Sequence, residues 1–204
     1  MLNSTISDGT LMKYGHSFEK HPVKHQLLIV FEDETFLAFT VAMYGGINAY
    51  KGNFENSYYQ GSLNSTSPLT DAFDELYFEN IIKKVTKDKS VKALLATEQR
   101  IPGLGNGTLQ DILFNVGVHP KRKISTLSDF EKGELFDSIK TTLKSMTDKG
   151  GRDTEKDFYG NFGGYKTLLS RKTYKDPCPN CGMSIVKEAY LGGTIYYCPV
   201  CQKA

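Results

Sequence analysis

The chain has 204 residues, of which 39% are hydrophobic and 24% are charged, so it is long enough to bury a core and form one or two domains. It contains no apolar run of transmembrane length, and its first twenty residues lack a signal-peptide pattern. The composition therefore argues against a helical membrane protein and predicts a soluble, cytoplasmic protein.

Charge is distributed unevenly along the chain. Residues 1–80 hold 4 Lys+Arg against 10 Asp+Glu, whereas residues 81–204 hold 21 against 13, so the formal net charge changes from −6 to +8. A basic second part predicts a polyanionic partner. Lysines scattered over a solvated surface would give the same totals, and this alternative stays open.

The first sixty residues predict a small β structure. Residues 1–20 show no clear period, and no element is predicted there. Residues 26–31 and 35–41 are rich in β-branched and aromatic side chains and flank three acidic residues, which predicts a β-hairpin with an acidic turn. Residues 47–50 are a candidate short strand, and residues 53–68, mainly Asn, Ser, Gly and Tyr, are interpreted as a linker. The apolar faces of the hairpin have little to cover them, which predicts exposed edges and association.

Helical patterns follow the linker. Thr70 or Asp71 is a candidate cap for a helix that runs through Lys84. Its predicted apolar side consists of Phe73, Leu76, Tyr77 and Ile81. Ser90 is a candidate cap for a short helix, V-K-A-L-L-A, which is predicted to be buried.

A glycine-rich turn leads into the third predicted helix. Pro102, Gly103, Gly105 and Gly107 do not fit together inside a helix, so residues 101–106 are predicted to form a turn. Asn106 is the candidate N-cap, and the free backbone N–H groups beside it would hold an anion. An ordinary capped helix without a ligand has the same pattern.

The third helix is followed by a turn and a fourth helix. Its predicted apolar stripe consists of Leu109, Ile112, Leu113 and Val116. Gly117 ends it, and His119-Pro120 prevents its continuation. Ser128 and Glu131 form a capping box for the fourth helix, which runs to about Asp148. The predicted core side of that helix consists of Leu135, Ile139, Leu143 and Met146.

Residues 150–165 contain five glycines among charged and aromatic residues, and this composition cannot bury a core. The segment is predicted to be a long loop. Ordered loops of this length are usually functional, but a loop without any function would have the same composition.

The four cysteines have the spacing of a structural zinc site. Cys178 and Cys181 form one C-x2-C pair, Cys198 and Cys201 form another, and sixteen residues separate the pairs. Four thiolates would close a tetrahedron around one Zn²⁺ and leave no position for water, so the ion would be structural. Between the pairs, residues 184–190 and 194–197 alternate like the strands of a hairpin. Disulfides or free thiols are the alternative, which an intracellular setting disfavours.

These features, in this order, resemble a known family. The motifs I-P-G-L-G-N-G-T-L-Q-D-I-L-F and H-P-K-R-K, the Gly150-Gly151 loop, C-P-N-C-G and Y-C-P-V-C-Q make residues 90–204 similar to the C-terminal domain of the formamidopyrimidine-DNA glycosylase and endonuclease VIII family. Residues 24–60 resemble its N-terminal β-sandwich more weakly. The resemblance implies an α+β fold, with partial β-sandwich strands at residues 1–60, a helix–two-turn–helix domain at residues 61–170 and a zinc β-hairpin at residues 171–204.

The resemblance implies base-excision repair. Members of the family grip damaged double-stranded DNA, flip the lesion out of the stack, cut its glycosidic bond and nick the strand by β-elimination. In a bacterium, such a protein would be associated with the nucleoid. Met43 and Tyr44 fall near the position where the family fills the gap left by the flipped base. The DNA contacts implied at matching positions are Gly105, Asn106, Gly107, Lys121, Arg122, Lys123, Arg152 and Thr154.

Two departures from the family pattern limit what the resemblance implies. The family's nucleophile is an N-terminal proline followed by glutamate, whereas this sequence starts Met1-Leu2-Asn3. We therefore expect a truncated member without catalytic residues of its own, unless a second chain supplies the missing segment. The other departure is Gly193, which replaces a phosphate-binding arginine, and Lys187 or Tyr196 is expected to stand in for it partly.

Two other functions fit parts of the sequence. A non-catalytic, zinc-dependent nucleic-acid-binding module would use the same helical and hairpin elements. Alternatively, residues 103–107 form a nucleotide-phosphate loop of another enzyme, but their G-x-G-x-G spacing follows no predicted strand, which argues against this function.

Overall fold

A computed structural model describes residues 3–6, 10–17, 20–41, 45–98 and 100–203. The chain divides into two compact units, one formed by residues 1–56 and 155–162 and the other by residues 57–154 and 163–204. Both helices and strands are present, so the predicted α+β class is confirmed. The predicted three-part division at residues 60 and 170 stays a prediction.

Among its described residues, the first unit contains five strands in two antiparallel sheets. Their bounds are β1 Asn3–Ile6, β2 Thr10–Gly15, β3 Leu27–Val30, β4 Phe36–Val41 and β5 Ile47–Tyr50. Strand β1 pairs with β5, and the other sheet has the order β2-β4-β3. The predicted hairpin is therefore confirmed as β3–β4, and the predicted strand at 47–50 is confirmed as β5. Residues 1–20, for which no element was predicted, contribute β1 and β2.

The β3–β4 turn closes through an acidic side chain. The Asp33 carboxylate accepts hydrogen bonds from the Thr35 amide at 3.0 Å and from the Thr35 hydroxyl at 2.6 Å. The central strand β4 carries the buried residues Phe36, Ala38 and Phe39. The side chains of β3 stay largely exposed. Met43 and Tyr44 lie outside the described residues.

The second unit begins with two short helices. Helix α1 spans Ser57–Asn64, so the interpretation of residues 53–68 as a linker is wrong. Helix α2 spans Glu75–Lys83 and is capped by Asp74, whose carboxylate accepts from the Tyr77 amide at 2.7 Å. The predicted cap at Thr70 or Asp71 is wrong, because residues 70–73 form a turn that buries Phe73 ahead of the helix. Leu76, predicted to face the core, is 63% exposed.

The later helices follow the sequence prediction more closely. Helix α3 spans Val91–Ala96, and the Ser90 hydroxyl accepts from the Ala93 amide, as predicted. Helix α4 spans Asn106–Asn115, but its N-cap is Gly105, so Asn106 occupies the first helical position and its predicted capping role is wrong. Helix α5 spans Asp129–Asp148 with the predicted capping box of Ser128 and Glu131.

One hydrophobic core joins α2, α3, α4 and α5. Its members come from all four helices and from the turns between them, where Ile101, Val118 and Ile124 are buried. The predicted stripes of α4 and α5 lie in buried positions, except for Val116, which lies at the edge of the core. This core fixes both ends of α4, where the candidate site lies.

The chain ends in the predicted hairpin. Strand β6 spans Val186–Tyr190, strand β7 spans Gly193–Tyr197, and the two pair antiparallel. Below, residues 177–203 are called the cysteine hairpin and residues 101–107 the α4 turn. Within the part of the chain that the structure describes, no helix has the length and hydropathy needed to cross a bilayer.

Candidate metal centre and nucleic-acid interface

The four cysteines converge at the base of the cysteine hairpin. Their Sγ atoms lie within 4.8 Å of one another, with 3.8 Å between Cys178 and Cys201 and 3.5 Å between Cys181 and Cys198. A tetrahedron with metal–sulfur bonds of about 2.3 Å has edges of about 3.8 Å. The four thiols are therefore placed to bind a metal ion.

The cysteine cluster rests on the C-terminal end of α4. Phe114 packs in a second hydrophobic cluster with Leu169, Ile185, Tyr196 and two of the cysteines. The candidate metal site therefore packs on one side against apolar side chains.

The last residues bind the same end of α4 through the backbone. The buried Gln202 carboxamide accepts from the Cys198 amide at 3.0 Å and donates to the Val118 carbonyl at 3.0 Å. Lys203 adds backbone hydrogen bonds to Gly117 and His119, each 3.2 Å long. The position of the metal site is therefore fixed relative to α4.

The free edge of β7 pairs with side chains of α4. Gln110 accepts from the Tyr196 amide at 3.1 Å and donates to the Thr194 carbonyl at 3.1 Å. Asn106 donates to the same carbonyl at 2.8 Å. Gln110 thus supplies the hydrogen bonds that a neighbouring strand would otherwise supply. Sequence reasoning missed this role, because a glutamine between apolar helix positions gives no signal of burial.

Helix α3 holds the tip of the hairpin. The Lys92 ammonium donates to the Tyr190 carbonyl, and the Tyr190 hydroxyl donates to the Ser90 hydroxyl at 3.1 Å. Lys92 is only 2% exposed, and burial lowers its pKa. The sequence did not reveal this contact, which joins residues about a hundred positions apart.

The three consecutive cations after α4 all have acceptors within the chain. Lys121 pairs with Glu188 of β6, and the Lys123 ammonium donates to the Asp88 carbonyl at 3.0 Å. Arg122 donates to Glu131 at 3.0 Å, and this hydrogen bond is the largest of the effects that lower the pKa of Glu131 to about 2. These cations brace the turns between α4 and α5. The DNA contacts predicted for them stay predictions.

The N-terminal end of α4 brings Gly107 together with Arg152. A Cβ atom on Gly107 would lie 2.6 Å from Cζ of Arg152, so the guanidinium rests directly on the glycine Cα. A larger residue at position 107 would displace it. Around Gly105, the N-cap, no atom of the described residues lies within 4 Å of a Cβ built on it.

Two polar atoms near this end are buried without a hydrogen-bond partner among the described residues, namely Oδ1 of Asn106 and Oγ1 of Thr154. A Cβ on Gly193 would lie 3.1 Å from Cγ of Asn106. Gly193 therefore leaves room for the Asn106 side chain against β7. Of the suggested substitutes for an arginine here, Tyr196 is buried, and Lys187 lies 5.1 Å from the centre of the Tyr174 ring.

Asp111 links α4 to the segment after the loop. Its carboxylate accepts from the amides of Leu168 at 3.0 Å and Leu169 at 2.9 Å, and also from the Tyr165 hydroxyl. Burial raises the pKa of Asp111, and these hydrogen bonds and the charge of Arg152 oppose the rise. Burial and the nearby Asp111 also raise the pKa of Tyr165.

The two ends of the predicted loop meet at a narrow neck. A Cβ on Gly163 would lie 2.6 Å from the backbone nitrogen of Arg152, so only glycine allows this approach of the two backbones. Tyr165 donates through its amide to the Gly151 carbonyl at 3.0 Å and accepts from the Asp153 amide at 2.9 Å. Arg152 and Thr154 thus lie on the strand-like segment that enters the loop.

The fold and the site define a helix–two-turn–helix protein with a four-cysteine hairpin, and comparison with known proteins is specific about its family. The family model described as the formamidopyrimidine-DNA glycosylase H2TH domain matches residues 65–157. The formamidopyrimidine-DNA glycosylase of Bacillus subtilis strain 168 is 30% identical over 196 residues, which cover 93% of this chain and 70% of that protein. The chain belongs to the formamidopyrimidine-DNA glycosylase family, and the predicted resemblance is confirmed.

A further relative and two solved structures are also similar to this chain. The formamidopyrimidine-DNA glycosylase of Prochlorococcus marinus strain MIT 9215 is 36% identical over 149 residues, 70% of this chain. The match spans about half the length of that relative, 49%. A complex of Lactococcus lactis Fpg with DNA containing an abasic site has a TM-score of 0.79 at 22% identity, and the match covers 100% of this chain and 75% of that one. The MutM (Fpg) protein of Thermus thermophilus gives a TM-score of 0.73 at 21% identity, and that match covers 96% of this chain and 76% of the other.

Proposed function

We propose that this chain binds damaged double-stranded DNA in base-excision repair in the cytoplasm, with the α4 turn and the cysteine hairpin gripping one stretch of sugar-phosphate backbone. The observation that carries this proposal is the attachment of β7 to α4. Gln110 and Asn106 of α4 make hydrogen bonds to β7. Helix α4 and strand β7 therefore form one surface, which can contact one ligand. Family membership and the solved complex of the Lactococcus lactis protein with abasic DNA support the same function.

The proposed ion in the cysteine hairpin is one structural Zn²⁺. Four thiolates with tetrahedral spacing suit zinc and leave no open position, so the ion would cross-link the two C-x2-C turns without taking part in chemistry. Elemental analysis should give about one zinc per chain. A folded protein without bound metal would contradict this assignment.

The proposed DNA contacts at the α4 turn are Gly105, Asn106 and Gly107, together with Arg152 and Thr154. At the start of α4 no side chain of the described residues caps the helix from position 105, the helix dipole has its positive end there, and the Arg152 guanidinium lies beside it. This combination suits a phosphate group. Lys121, Arg122 and Lys123 would add to the positive field around this end despite their internal partners.

A binding assay with matched variants tests the contact at Asn106. We expect Asn106→Ala to weaken binding to an abasic duplex by about 1–3 kcal/mol through loss of a contact to a charged group. Asn115→Ala is the control, because Asn115 lies at the other end of α4 and its side chain also makes one hydrogen bond, to Thr142 at 3.1 Å. Equal affinities for the two variants would show that Asn106 is only structural.

The salt dependence of binding tests the cationic face as a whole. Phosphate contacts release counterions, so affinity for the abasic duplex should fall steeply as salt rises. A flat salt response would mean that the positive charge of residues 81–204 meets no polyanion.

The proposal assigns no residue of this chain to bond cleavage. None of the seven prolines in these 204 residues is followed by glutamate, so we infer that cleavage needs a Pro-Glu pair from a longer form of the chain or from a second chain. Without such a pair the chain acts as a non-catalytic binding module. A strand-nicking assay on abasic duplex, with borohydride trapping of any covalent amine adduct, distinguishes the two cases.

A further inference from the structure

The buried carboxylate of Asp111 has no part in the DNA contacts proposed above, although it lies one helical turn below them. Gly107 and Asp111 are four residues apart on α4 and therefore share one face of the helix. A side chain that rests on the Gly107 Cα therefore lies on the same face of α4 as Asp111.

Arg152 occupies this position. Its guanidinium rests on Gly107, and its charge is close enough to act on Asp111. Asp111 is itself held firmly, because two backbone amides and the Tyr165 hydroxyl bind its oxygens and the residue is 0% exposed. The carboxylate is thus a fixed negative charge that acts on the nearby Arg152 guanidinium.

We propose that Asp111 is the positioning residue for Arg152, holding the guanidinium against Gly107 so that its outer N–H groups reach a DNA phosphate at the start of α4. This inference rests on the proposed function and deepens it. Arginine suits the role, because its guanidinium stays charged and its planar fork of donors matches a phosphate.

The sign of the Asp111→Asn effect separates positioning from simple electrostatics. Removing a negative charge near a polyanion should strengthen binding if Asp111 acts only through its charge. If Asp111 positions Arg152, the variant should instead bind an abasic duplex about tenfold more weakly, as expected for a lost contact to a charged group. Unchanged or stronger binding by folded Asp111→Asn would overturn the inference.

A double-mutant cycle with Arg152→Gln tests the coupling directly. Arg152→Gln alone should weaken binding about tenfold and lower the slope of log K against log salt by about 0.9, the value for one phosphate contact. Adding Asp111→Asn to Arg152→Gln should cause little further loss. Losses that multiply would show that Asp111 is structural only.

A second variant covers the case in which Asp111→Asn does not fold. Gly107→Ala places a Cβ where the Arg152 guanidinium lies, while alanine favours the helix. Gly133→Ala is the matched control, because Gly133 is also helical and a Cβ there meets no atom within 4 Å in the part of the chain that the structure describes. We expect weaker binding for Gly107→Ala alone, and equal affinities for the two variants would overturn the inference.

The same assay separates this inference from the proposed function. If the unaltered chain does not bind an abasic duplex at low salt, the proposed function and the positioning role of Asp111 are both refuted. If it binds, and Asp111→Asn and Gly107→Ala bind equally well, only the positioning role falls.

Discussion

Replacing Gln110 tests how the cysteine hairpin is attached to α4. Gln110→Met keeps the side-chain volume but removes the bonds to the Tyr196 amide and the Thr194 carbonyl. Thr194 still accepts from Asn106, whereas the buried Tyr196 amide is left without a partner. An orphaned buried donor costs about 1–3 kcal/mol, which for a chain of this length lowers the melting temperature by about 2–12 °C.

Urea or thermal unfolding of the metal-loaded protein measures this loss. Gln110→Ala removes the same hydrogen bonds and adds a cavity, so it should be less stable than Gln110→Met by a further amount of about 2–5 kcal/mol. If Gln110→Met were as stable as the unaltered protein, the amide would not hold the edge of β7. Strand β7 and helix α4 would then not be held together as one surface.

Two further predictions concern acid stability and the end of α4. Because Arg122 lowers the pKa of Glu131 to about 2, this carboxylate stabilises the fold above its unfolded pKa of about 4.5 and loses that effect as the pH falls towards 2. Because Glu131 is partly exposed, its contribution to the free energy of unfolding is discounted to about 1 kcal/mol. Glu131→Gln should therefore make stability less dependent on pH between those values. A pH profile of stability identical to that of the unaltered protein would refute this prediction. Gly117 has φ +66° and a Cβ there would lie 3.0 Å from the Cys201 carbonyl, so Gly117→Ala should cost about 1–3 kcal/mol in urea unfolding. Gly61→Ala, at a helical site with free space, is its control, and equal stability of the two variants would contradict the prediction.

The features predicted correctly from the sequence are those that depend on neighbouring residues. The capping box of Ser128 and Glu131 lies within four residues, and it fixed the start of α5. The clustering of the four cysteines was also predicted correctly, because each C-x2-C pair lies within four residues and its spacing is visible in the sequence. The predicted N-cap of α4, Asn106, was wrong by one residue. Glycine and asparagine both favour the N-cap position, so the sequence alone does not distinguish Gly105 from Asn106.

The features that were missed depend on distant partners. Residues 10–15 have no alternating pattern, yet they form β2 because β4 lies beside them, with Thr10 opposite Val41. Lys92, Gln110 and Asp111 look like ordinary polar helix positions. They are buried because their partners come from 57 to 98 residues further along the chain. Nothing local in the sequence encodes such pairs.

The contacts of Gln202 and Lys203 with the end of α4 also bear on how the protein is made. A ribosome delivers α3 and α4 first, whereas the strand and thiols that complete their surroundings follow much later in the chain. During synthesis, the surface of α3 and α4 that the cysteine hairpin covers therefore stays exposed to solvent for a time. A premature stop just before Gln202 would remove these contacts and leave the product in that state.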